Sequence, residues 1–85
     1  MSSNERDHPR TRLNNELQLI YGSDAAKHVR WEDFARGPPN NLTWYSTVYI
    51  DDMKYGDGTA RTKDDAKDKA ADKACNDLRR ERLGQ

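Results

Sequence analysis

The chain has 85 residues, of which 33% are apolar and 35% charged, and its fifteen Lys and Arg are balanced by fifteen Asp and Glu. That length holds one small domain, which buries only about 60% of its unfolded surface and must build its core from few side chains. No apolar run reaches the roughly 20 residues of a membrane span, and the start of the chain, MSSNERDHPR, has no apolar leader. The single cysteine, Cys75, excludes an intrachain disulfide and argues against a Cys-based zinc site. Zero net charge argues against a generic polyanion binder that works through a basic surplus. The expectation is a soluble, intracellular protein of the cytoplasm or nucleus whose function depends on where its charges sit.

Residues 1–9 hold no apolar side chain beyond Met1 and end at Pro9, which reads as a flexible arm. Leu13, Leu17 and Ile20, with Tyr21 on the flank and Gly22 as a stop, predict a first helix from about Arg10 to Tyr21. Gly22–His28 reads as a loop, with room for a helical turn at Asp24–Lys27. Val29 and Trp31 alternate with Arg30 and Glu32 as a short strand, which the turn-forming cluster Gly37-Pro38-Pro39-Asn40-Asn41 ends. Trp44, Ser46, Val48 and Ile50 then alternate with Tyr45, Thr47 and Tyr49, a β-branched and aromatic strand of period two. Asp51-Asp52 turns the chain into a third strand at Met53–Gly56, and Gly56-Asp57-Gly58 closes it. Thr62, with Asp65 three residues on, has the form of a helix cap. Ala66, Ala70, Ala74 and Leu78 then line one face of a last helix that runs to about Arg82, flanked by Ala71 and Cys75.

The order α-β-β-β-α, with short turns between strands, predicts an α+β two-layer sandwich. Two helices cover one face of a three-stranded antiparallel sheet; the domain occupies 10–82 and a tail 83–85. Trp31 and Trp44 are expected in the core, with Tyr45 and Tyr49 on the open face.

The last helix breaks its own pattern. With Lys63 at zero and about 100° per residue, Lys67 falls at about 40°, near the middle of the apolar arc. Ammonium groups are almost never fully buried, so the first turn is expected to overhang the sheet and project Lys63 and Lys67 beyond its rim. Two cations beside a helix N-terminus suit a phosphate. The region Arg61–Arg82 carries eight basic and six acidic residues, against four and six in Asp24–Asp57, which points to the C-terminal part as the partner-facing end.

The run Gly56-Asp57-Gly58 through Thr62-Lys63-Asp64-Asp65-Ala66-Lys67-Asp68-Lys69-Ala70-Ala71 resembles the C-terminal signature of the double-stranded RNA-binding domain. In that family a Gly-rich strand end leads to Ser/Thr-Lys-Lys-x-Ala-Lys-x-x-Ala-Ala. Gly37-Pro38-Pro39-Asn40 with Trp44 resembles the family's Gly-Pro-x-His and strand-opening Phe, and Asn15-Glu16-Leu17 its helix-one motif. The resemblance covers about Arg10 to Arg82. It implies binding of A-form duplex RNA by shape, across about 16 bp, at three places. Helix one, through Arg12, Asn15 and Glu16, would enter a minor groove. The loop Pro38, Pro39, Asn40 and Asn41 would reach the next one with rigidly held carbonyls. Lys63 and Lys67, helped by Arg61, would meet the phosphates between.

Asp64 replaces the second Lys of the family pattern and Asn40 its loop His, so weak or moderate binding is expected. His8 and His28 have no carboxylate or Cys partner at metal-ligand spacing in the sequence. Catalysis, metal and cofactor are not expected. The alternative on the same fold is a protein-interaction or dimerisation module, or an accessory of a larger RNA-processing assembly.

Overall fold

In the computed structural model of the chain, residues 8–84 are described; the arm expected at residues 1–9 lies mostly outside them. Helix α1 spans Pro9–Tyr21, a 3-10 turn Gly22–Asp24 and a short helix α2 Ala25–His28 follow, and strands β1 (Val29–Arg36), β2 (Thr43–Ile50) and β3 (Met53–Ala60) lead to α3 (Lys63–Arg82). The strands form one antiparallel sheet in the order β1-β2-β3. The predicted α-β-β-β-α sandwich is the fold. No described helix is long and apolar enough to cross a membrane.

Pro9 opens α1, where its missing N–H is no loss. Asp51 and Asp52 both take positive φ (52° and 66°), which makes the two-residue β2–β3 turn match the twist of its strands. Thr62 accepts a hydrogen bond from the Asp65 backbone N–H at 3.1 Å, the cap expected from the spacing.

The core joins Leu13 and Leu17 of α1, Ala25 of α2, Val48 and Ile50 of β2, and Ala70, Ala71, Ala74, Cys75 and Leu78 of α3. Burial pushes the Cys75 thiol above its ordinary range. Ile20, which shares the helical spacing of Leu13 and Leu17, is exposed; the inner face of α1 turns through Leu13, Glu16 and Leu17. Trp31 is half-buried against the core, and Trp44, also expected inside, is half-buried outside the cluster at the start of β2.

Two strands are longer than the sequence suggested. β1 continues to Arg36, and β3 runs through Gly56 and Gly58, which had read as its end. Both glycines face α3. A Cβ on Gly56 would overlap the Ala70 carbonyl, and one on Gly58 would lie 2.5 Å from Lys69 Cβ and 2.7 Å from the Ala66 carbonyl oxygen. Bare strand below and alanine above let helix and sheet backbones approach closely. Tyr55 is a bulge residue, since Val48 pairs with Gly56 and Tyr49 with Lys54. It packs on the core, and its hydroxyl donates to Glu81 at 3.0 Å; burial and that carboxylate push the phenol up to about 12.

Ion pairs order the two long helices. Arg10 meets Asp68 (2.9 Å) and Asp64 (3.7 Å), Arg12 meets Asp72 (3.4 Å), and Glu16 meets Arg82 (2.9 Å) and Arg79 (3.7 Å). Pairing advances in step along both helices, so α1 and α3 run parallel. Their N-termini share the end of the sheet where β1 stops, β2 starts and β3 leads into α3.

Candidate nucleic-acid interface

Three segments meet at that end. Gly37 adopts φ 112°, a conformation that glycine alone reaches easily, and releases the chain from β1 into the loop. Pro39 then sits second in a β-turn closed by the Asn41 N–H donating to the Pro38 carbonyl at 2.9 Å. The Pro38 carbonyl, expected to be offered outward, is thereby engaged, while Pro38, Pro39, Asn40 and Asn41 are all exposed. Across the sheet, Trp44 pairs with Ala60, which places Arg61 and the first turn of α3 beside the root of this loop. Lys63 Nζ lies 6.0 Å from the centre of the Trp44 ring, at the limit of a cation–π contact.

Charge pairing divides the cations sharply. Among the described residues, every Lys and Arg is ion-paired with a carboxylate except Arg36, Arg61, Lys63 and Lys69. Arg61 and Lys63 flank the helix cap beside the root of the loop; Lys69 stands nearly two turns into α3 and donates to the Thr59 carbonyl at 2.9 Å, and Arg36 precedes Gly37 with its guanidinium 5.4 Å from the centre of the Phe34 ring on the open face of the sheet. The charge of Arg61 and Lys63 adds to the positive end of α3, whose first N–H groups have no partner within the helix. Arg36 and Lys69 were not anticipated. Arg36 carried one signal, its place next to the loop; Lys69 carried none, because its freedom from acids is a property of the fold.

Three of the expected contact residues stand elsewhere than foreseen. Glu16 does not point outward: it is 8% exposed, and Arg82 grips its carboxylate with two hydrogen bonds of 2.9 and 3.2 Å. Arg12 is half-buried between the helices on Asp72. Lys67 does not project past the rim. Its side chain is only 22% exposed, with Nζ 3.5 Å from Asp33 Oδ2 and 4.9 Å from the centre of the Trp31 ring. Asn15 remains exposed on α1, as expected, with Asn14 beside it. Asp64 is exposed and pairs with Arg10 at the edge of the cationic end.

At the opposite end of the sheet, the fold gives His28 a carboxylate that sequence spacing did not reveal. Its Nδ1 lies 2.7 Å from Asp51 Oδ1, its ring stacks on Tyr21 at 3.8 Å, and the Tyr21 hydroxyl donates to Asp51 at 2.9 Å. The His28 and Tyr21 hydrogen bonds hold Asp51 below the usual carboxylate range. No cluster of three or more metal-ligating side chains occurs among the described residues.

The family model of the double-stranded RNA binding motif matches residues 9–78, from the first residue of α1 to Leu78 near the end of α3. The chain belongs to that family. No curated protein sequence matches it. Membership makes the chain a double-stranded RNA-binding domain in general terms and supports double-stranded RNA as its partner. Domains of this family are typically non-catalytic binding domains.

Proposed function

We propose that this domain binds A-form duplex RNA non-catalytically and by shape, through the loop end of the sandwich. The observation that carries the reading is that Arg61 and Lys63, two exposed cations with no carboxylate partner among the described residues, stand at the start of α3 beside the root of the exposed proline loop. Duplex RNA displays 2′-hydroxyls in a shallow minor groove and phosphates across a narrow major groove. Pro39, Asn40 and Asn41 offer carbonyl and amide groups to one minor groove. Lys63 and Arg61 meet the phosphates, with Arg36 on the loop side. Asn15, with Asn14, offers amides to the second minor groove in place of Glu16, whose acceptors Arg82 occupies. None of these groups selects a base, so affinity follows the shape of the duplex.

The free cations are few and the rest of the surface is internally neutralised, so affinity is modest and strongly salt-dependent. The test is competition: a labelled RNA duplex of about 16–20 bp bound to the domain is challenged with unlabelled RNA duplex or B-DNA of the same sequence. The reading expects RNA to displace the label and DNA to do so only at much higher concentration. Equal competition would sink shape recognition. No binding at low salt, with self-association or capture by a protein partner, would favour an interaction module.

A further inference from the structure

We infer that Asp33 is an internal phosphate mimic that holds Lys67 back and thereby sets the affinity of the site. This rests on the reading that the start of α3 meets RNA phosphates. Asp33 and Trp31 lie two residues apart on β1 and face the helices, so one binds the Lys67 ammonium while the other lies beneath it. Asp33 is itself fixed. Its register partner on β2 is Ser46, almost fully buried, whose hydroxyl donates to Asp33 Oδ1 at 2.5 Å. One carboxylate oxygen thus anchors to the sheet and the other faces Lys67, and the carboxylate is only 13% exposed.

Lys67 stands one helical turn after Lys63, yet Lys63 is exposed and Lys67 is folded inward. Lys67 also lines a groove of about 430 Å³ between α1 and β1, with Arg10, Asn14 and Trp31, so the side chain has open space beside it. Sequence alone makes Lys63 and Lys67 equivalent cations. The fold gives one of them an anion already, and a phosphate must displace Asp33 to recruit it.

Asp33→Asn tests this, because the amide oxygen still accepts from Ser46 while the anion is lost. Asp33→Ser is a second variant if the amide perturbs folding. Binding of the whole chain to a duplex of about 16–20 bp is measured across a salt series for wild type, Asp33→Asn, Lys67→Ala, the double variant and Lys63→Ala. The inference expects Asp33→Asn to tighten binding about three- to tenfold at low salt and to steepen the salt slope by about one phosphate contact. Both gains should vanish when Lys67 is alanine. An equal gain without Lys67 would mean only that a negative charge was removed, and would overturn it. No gain, with Lys63→Ala still weakening binding, would overturn the latch and leave the binding site standing. No duplex binding by any variant would overturn both.

Discussion

The two ends of the α1–α3 pair use the same kinds of side chain for opposite purposes. At the C-terminal end, Arg79 and Arg82 converge on the buried Glu16 and fasten one helix to the other. At the N-terminal end, Arg10 and Arg12 also fasten the helices, on Asp64, Asp68 and Asp72, but Arg61 and Lys63 have no acid, and the exposed loop stands beside them. Counting basic residues therefore misjudges α3: Arg79 and Arg82 are structural, and the cations left without an acid near its start are Arg61 and Lys63. A chain with zero net charge can still present a cationic end, because carboxylates consume the other cations.

The harshest way to break this comparison is to lift α3 from the sheet, which disturbs both ends. Gly58→Ala drives a methyl group into Ala66 and Lys69, and a loss of about 3 kcal/mol is expected, read from denaturant unfolding. Next comes the exchange between ends. Arg61→Ala with Lys63→Ala should weaken duplex RNA binding about tenfold at low salt and flatten its salt dependence, with little change in melting temperature. Arg79→Ala with Arg82→Ala should do the reverse, lowering the melting temperature by about 5 °C and leaving affinity within about twofold. Parallel melting and binding curves decide whether the ends are separable.

A smaller effect sharpens the cationic end. Asp64→Lys removes an acid from beside Arg10 and adds a cation one residue after Lys63, and should tighten binding about threefold. The smallest effect lies at the other end of the sheet. Asp51 has a folded pKa below its ordinary value because His28 and Tyr21 hydrogen-bond to the charged form. Its contribution is present above the unfolded value and is lost as pH falls through the folded one. Stability should therefore drop below about pH 4, and Asp51→Asn, which tolerates the same positive φ, should flatten that part of the profile.

Element order, the alanine ridge, the helix cap and the turn loop were legible in the sequence because each is local: a period of two, a period near 3.6, or a cluster of turn formers. What escaped was set at a distance. Gly56 and Gly58 looked like a strand end because the reason for them, an overlying helix, lies eight or more residues away. Glu16 looked like a surface residue because its partner Arg82 is 66 positions on. Lys67 was correctly singled out as a cation in an apolar arc, but its anion, Asp33, sits on another element. The family signature marked where to look. Which of the marked residues are free to bind was decided by tertiary ion pairing.

The central claim is that binding belongs to the loop end, where Arg61 and Lys63 have no carboxylate partner. A titration of the 15N-labelled chain with an RNA duplex of about 16–20 bp tests it most directly. Amide shifts should cluster at Gly37, Asn40 and Asn41, at Arg61–Lys63 and at Asn14–Asn15, and remain small around Arg79 and Arg82. Shifts centred on Arg79 and Arg82, or spread over the open face around Tyr45 and Tyr49, would contradict it.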